Sequence, residues 1–230
     1  MTVRVPELLV LTDRRMAADT GHDVAEVVTA AVDAGAPAVV VREKDLAPAE
    51  RHDLAVRLRA ATAGAAALIV AGDPALARAV GADGVHLAAD DPWPGDSAAG
   101  LRVGRSCHTP EELMATAVGG VAAYATFSPV FATASKPGYG PALGIDGLAA
   151  GCRAVAGVGS SLAIYALGGI GPAQAGACLA AGAAGVAVMG AVMRADDPGG
   201  IVRAMIRELD ASHPARTCPS RPNLSWLARP

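Results

Sequence analysis

The feature that most limits what this chain can fold into is a regular alternation of short, continuously apolar runs with longer Ala-rich segments of helical period. The apolar runs are Leu8–Thr12, Ala38–Arg42, Ala67–Val70, Gly84–Leu87, Arg102–Ser106, Ala123–Phe127, Leu162–Leu167 and Gly185–Met189, eight in all. Between them the period predicts helices over Asp23–Ala34, Pro48–Ala63, Pro74–Val80, Pro110–Ala117, Ile145–Ala154, Pro172–Ala181 and Pro198–Asp210. Apolar runs without polar alternation suit parallel strands buried on both faces. Asp73-Pro74 and Thr109-Pro110 place a side-chain oxygen before a proline, the N-cap and N1 pattern of a helix start. Ala88–Gly100 carries no helical period and is expected to be a loop. Strict strand-then-helix alternation predicts the α/β class and a single (β/α)8 TIM barrel, with an open doubly wound sheet as the alternative.

A chain of 230 residues, 52% hydrophobic, suffices for one such barrel. Aromatics are 3%, so Ala, Val, Leu and Gly must fill the core. The domain is expected over 1–210, and the proline-rich, aperiodic 211–230 is expected to be a disordered tail. A net charge of −3 offers no basic footprint, so neither nucleic acid nor an anionic membrane surface is an expected partner. No apolar run approaches the ~18 residues of a membrane span. Cys107, Cys152, Cys178 and Cys218 lack CxxC spacing and read as reduced thiols, mostly buried, which makes the cytoplasm the expected compartment. Assembly with further copies of the chain stays open.

In a (β/α)8 barrel, ligands meet the loops at the C-terminal ends of the strands. Strand two ends in Arg42-Glu43-Lys44, two cations at the barrel mouth. After strand six, Thr133, Ser135 and Lys136 put two hydroxyls and a point charge in one loop, a set that suits a phosphate. Gly168 and Gly169 after strand seven, and Gly190 after strand eight, let backbone N–H groups approach an anion, or alternatively only make tight turns. The expected ligand is therefore a small phosphorylated molecule. His108, at the end of strand five, is the candidate proton carrier. His86, within strand four, reads as a core histidine hydrogen-bonded to a neighbour. Cys107 and His108 are adjacent on a strand and point to opposite faces, which argues against a nucleophile pair.

Taken in order, several segments resemble the thiamine phosphate synthase/TenI superfamily across the chain to about Asp210. They are Leu11-Thr12-Asp13, Arg42-Glu43-Lys44, Gly81-Ala82-Asp83-Gly84-Val85-His86-Leu87, Gly104-x-Ser106-x-His108, Ser128-Pro129-Val130-Phe131-x-Thr133-x-Ser135-Lys136 and Leu167-Gly168-Gly169-Ile170. The resemblance implies one of two activities. A synthase joins a pyrimidine diphosphate to a thiazole phosphate with Mg²⁺. A TenI-type thiazole tautomerase aromatises a carboxythiazole phosphate by moving a proton, without a metal.

The synthase pattern departs here in three places. Its Asn-Asp-Asp after strand three is Ala71-Gly72-Asp73, its strand-two glutamine is Val40, and its Gly-Gln-Glu-Asp after strand four is Ala88-Ala89-Asp90-Asp91. The phosphate side is retained, and Gly104-Arg105-Ser106-x-His108 is similar to the tautomerase. The expectation is accordingly a cofactor-independent tautomerase, an isomerase of thiamine biosynthesis. By carry-over, His108 would be its acid/base. Arg42, Lys44 and Ser106 would contact the thiazole, and Thr133, Ser135, Lys136, Gly168, Gly169 and Gly190 its phosphate. The alternative is a divergent thiamine phosphate synthase, a transferase, with Asp91 binding Mg²⁺.

Overall fold

A computed structural model of the chain describes residues 6–133 and 142–212. Ser135, Lys136, Cys218 and the expected tail from residue 213 onward lie outside the described residues. Eight strands run β1 Leu8–Leu11, β2 Ala38–Val41, β3 Ala67–Ala71, β4 Gly84–Leu87, β5 Arg102–Cys107, β6 Tyr124–Phe127, β7 Ala163–Leu167 and β8 Gly185–Val188. Each pairs in parallel with the next, and β8 pairs with β1 through Leu9↔Ala187, so the sheet closes into a barrel. The open-sheet alternative is excluded.

Helices α1 Arg14–Ala18, α2 Val24–Asp33, α3 Pro48–Thr62, α4 Pro74–Ala79, α5 Pro110–Gly119, α6 Gly144–Gly157, α7 Pro172–Ala180, α8 Gly190–Met193 and α9 Pro198–Ala211 occupy the intervals. Between β4 and β5 there is only a 3-10 turn, Gly95–Ala98. Helices α1 and α8 escape a periodicity reading because four or five residues make barely one turn. The helix starts follow their capping residues: Asp73 Oδ1 accepts the Leu76 N–H at 2.9 Å, and Thr109 Oγ1 accepts that of Glu112 at 3.2 Å.

The continuous burial of the strands has two sources. Leu9, Leu11, Val40, Ile69 and Ala71 face the barrel interior, with Tyr124 and Tyr165 filling it. Leu8, Val10, Val41, Leu68 and Val70 pack outward against the helices. Both faces are therefore largely apolar, and polar strand residues such as His86 and Thr126 are the exceptions. Cys107, Cys152 and Cys178 are buried free thiols, as expected. No helix among the described residues is long and apolar enough to cross a membrane.

Thr12 and Arg42, read as strand ends, lie one residue beyond them. The Thr12 N–H donates to Val40 O at 2.9 Å, and the Arg42 N–H donates to the Thr12 side-chain Oγ1 at 3.0 Å, so the backbone ladder between the two strands ends there.

Candidate active site

A cavity of about 960 Å³ opens at the C-terminal ends of the strands. Arg42, Lys44, Ser106 and His108 line it, and so do Thr133, Gly168, Gly169 and Gly190. Sequence reasoning thus brought its described candidates to one place. It missed Arg14, Arg15, Ser128, Met189 and Arg194, which also line the cavity. For Arg14 and Arg15 the signal was present, charges directly after the β1 run. Arg194 had none, because α8 places it.

The cations at the mouth differ in how they are occupied. Arg14 and Arg15 are tied to Asp45 at 2.8 and 2.6 Å, and Arg14 also to the buried Glu43 at 3.0 Å. Hydrogen bonding from Arg14 holds the Asp45 carboxyl down at about 2, against the opposing effect of its own desolvation. Lys44 Nζ lies 3.4 Å from Asp91 Oδ2. Arg42 instead reaches across the mouth, with Nη1 2.7 Å from Met189 Sδ. Among the described residues, Arg42 and Arg194 are the lining cations without a carboxylate partner. Arg42 is therefore ready to meet an anion.

The cavity floor is a polar strut inside the barrel. His86 Nδ1 is 3.0 Å from the Tyr124 hydroxyl, and its Nε2 is 3.0 Å from Ser106 Oγ. Gly104 makes this possible, since a Cβ there would lie 2.0 Å from Tyr124 Cζ. Burial, together with Lys44 and Arg42 nearby, pushes the His86 imidazole down to about 3. It stays neutral, one nitrogen donating and the other accepting. The core reading of His86 holds, with the addition that its edge lines the cavity.

His108 stands above this floor. Its Nδ1 is 3.1 Å from both the carbonyl oxygen and the Oγ of Ser128, and its N–H donates to Glu112 Oε2 at 2.6 Å. Gly168 and Gly169 have φ of +101° and +63°, and added β-carbons would lie 2.9 Å from Pro129 Cα and 2.5 Å from Ala132 O. Close packing of the β6 and β7 loops thus requires these glycines, which line the same cavity as Arg42 and Lys44.

On the acidic side, Asp91 Oδ2 accepts the Ala88 N–H at 2.7 Å. Burial alone would raise this carboxyl, but Ala88, Lys44 and Arg105 outweigh it and hold it below the ordinary range. No group of three or more His, Cys, Asp or Glu side chains among the described residues could cage a metal. Mg²⁺, however, is commonly held by one or two carboxylates plus substrate phosphate oxygens and water. One partly exposed carboxylate beside a cavity suits that mode, so the residues present fit an ion carried largely by its substrate.

A sequence model of the family described as thiamine monophosphate synthase matches residues 8–192. This chain belongs to that family. A thiamine-phosphate synthase of Haloarcula marismortui is 35% identical over 197 residues, covering 80% of this chain and 89% of its own. One from Roseiflexus castenholzii is 35% identical over 202 residues, 85% of each chain. The structure of a thiamine phosphate pyrophosphorylase from Pyrococcus furiosus superimposes with a TM-score of 0.78 at 28% identity, covering 90% of this chain and 97% of that one.

These relatives overturn the expectation of a tautomerase, and of an isomerase, in favour of the synthase alternative. Two physical reasons explain why the sequence misled. The residues lost at Ala71 and Gly72 need not abolish a metal site that rests mainly on substrate oxygens. The Gly104-to-His108 signature, read as a proton-transfer device, has a structural account of its own: Gly104 admits Tyr124, Ser106 holds His86, and His108 contacts Ser128. The tautomerase proton step carried over to His108 falls with that reading.

Proposed function

We propose that the chain is a thiamine phosphate synthase, a transferase that joins hydroxymethylpyrimidine diphosphate to thiazole phosphate. The observation that carries this reading is a single cavity at the strand ends, lined both by Arg42 and Lys44, with Asp91 3.4 Å from the Lys44 ammonium, and by the glycine turns after β7 and β8. A coupling enzyme must hold a diphosphate and a phosphate together, and this cavity offers cations and glycine turns to both.

In this reading Arg42 and Lys44 bind the diphosphate. Thr133, Ser135, Lys136, Gly168, Gly169 and Gly190 bind the thiazole phosphate. Ser106 and His108 contact the rings between them. Coupling forms a C–N bond at the pyrimidine methylene carbon while the C–O bond to diphosphate breaks, so negative charge grows on the leaving oxygens. Fixed guanidinium and ammonium groups stabilise that charge without reorganising. Mg²⁺ bound to the diphosphate and Asp91 would add positive charge at the same place. Holding both substrates in one cavity supplies the orientation that an encounter in water lacks.

The test is direct. Purified chain supplied with both substrates and Mg²⁺ is expected to form thiamine phosphate and diphosphate in equal amounts. Binding of both without product would sink the proposal.

A further inference from the structure

The loop after β4 brings Asp90 to the cavity and Asp91 to Lys44. It lacks the usual support, because no α-helix follows it, only the 3-10 turn Gly95–Ala98. Something else must fix it, and Arg105 meets the need. Arg105 lies on β5 directly opposite Leu87, the last residue of β4. It does not line the cavity. Its Nη2 donates to Ala89 O at 2.7 Å and to Asp91 O at 2.6 Å, gripping the loop at two carbonyls two residues apart. Its Cζ lies 4.3 Å from the centroid of the Trp93 ring, a cation–π contact that pins the far side of the same loop. The carboxylate of Asp91 closes the turn from within by accepting the Ala88 N–H.

We propose that Arg105 is a positioning residue, which holds the loop after β4 so that Asp90 and Asp91 face the anion wall formed by Arg42 and Lys44. It acts through the loop and touches no substrate. The reading of this wall as the diphosphate end rests on the proposed synthase function; the grip on the loop does not. A planar guanidinium is required, since it donates to two carbonyls while stacking on an indole. Both bonds leave from Nη2, so a lysine ammonium keeps the charge and loses the planar face that lies over the indole.

The experiment compares the full-length chain with Arg105→Met and Arg105→Lys, using Mg²⁺ with inorganic pyrophosphate as the probe and tryptophan emission as the readout. Trp93→Phe identifies which part of the emission belongs to Trp93. Loss of two charge-assisted hydrogen bonds is expected to raise the pyrophosphate Kd about tenfold in Arg105→Met, with Arg105→Lys recovering only part. Trp93 emission should shift as the cation leaves its face. In coupling assays the KM for the diphosphate substrate should rise similarly, while that for thiazole phosphate stays within about twofold.

A merely structural role would lower the thermal midpoint without this split between the two KM values. Should Arg105→Met fail to fold by circular dichroism, Arg105→Lys carries the comparison. A parent that does not bind pyrophosphate overturns the proposal, as does equal loss for both substrates. Variants whose Kd stays within about twofold of the parent overturn it too. Binding that depends on Arg105 in a parent that forms no thiamine phosphate would instead overturn the synthase reading and leave Arg105 in place.

Discussion

The side chain of Lys44 lies over Gly72, where a β-carbon on Gly72 would be 2.7 Å from both its Cε and its Nζ. The same space ends 3.5 Å away at Asp91 Oδ2. Absence of a side chain at 72 and the position of the lysine are thus one structural fact. Lys44 pairs with Asp91 across a gap that any other residue at 72 would narrow.

Gly72→Asp should therefore displace Lys44, whose flexible end can move, and add a second carboxylate beside Asp91. Gly72 has φ of +70°, so stability should fall by about 1–2 kcal/mol. Mg²⁺ should bind more tightly in the presence of pyrophosphate, because two carboxylates replace one. Isothermal titration of Mg²⁺ into each protein with pyrophosphate checks this. Equal affinities would mean that position 72 lies outside any metal site.

Arg42 has a sulfur contact and no carboxylate partner among the described residues. Arg42→Ala should raise the KM for the diphosphate substrate by about one to two decades, equivalent to ~1.5–3 kcal/mol. Thermal denaturation should show little change, since no ion pair is broken. An unchanged KM would remove Arg42 from the anion wall.

Gly104 is the seat of Tyr124, whose ring carbons and hydroxyl would come within 2.0–2.4 Å of an added Cβ. Gly104→Ala cannot be absorbed locally, because Tyr124 is fully buried and bonded to His86. Overpacking of this kind costs about 3 kcal/mol. Urea denaturation measures it, and a loss under about 1 kcal/mol would contradict the close approach.

His86 carries an acid limb of stability. Its folded-state imidazole is pushed down to about 3, below the ~6.5 of an unfolded histidine. Between those values the unfolded chain binds the extra proton, so stability rises with pH there. The contribution is complete above about pH 6.5 and is lost progressively as pH falls toward 3, with a slope up to ~1.4 kcal/mol per pH unit. His86→Gln, an uncharged replacement, should flatten that limb in urea denaturation at pH 4.5–7. A variant with the parent's slope would assign the limb to another group.

Particular residues show how far the sequence could be read. Arg42, Lys44, Ser106, His108, Thr133 and the three glycines reach one cavity because each ends or follows an apolar run, and strand ends converge in a closed barrel. Short α1 and α8 were invisible because one helical turn has no periodicity. Arg194, which caps α8, was therefore missed, whereas Arg14 and Arg15 were overlooked although they directly follow the β1 run; all three line the cavity. The choice between two chemistries was misread at Gly72 and Gly104, where an absent side chain says nothing about what fills its place.

By itself, then, the sequence determined the eight-fold strand-and-helix alternation and the strand ends at which ligands meet it; closure of β8 onto β1 came from the tertiary structure. The period of the apolar runs is a local property, and burial on both strand faces admits few other solutions. Only the tertiary structure decided which charges are occupied and which are ready. Arg42 meets Met189 147 positions away, Lys44 meets Asp91 47 positions away, and Arg105 crosses to the loop that precedes it by 14–16 positions. These contacts depend on the direction and reach of side chains once the strands are fixed in register. A residue's chemical type does not contain that information; its neighbours in space supply it.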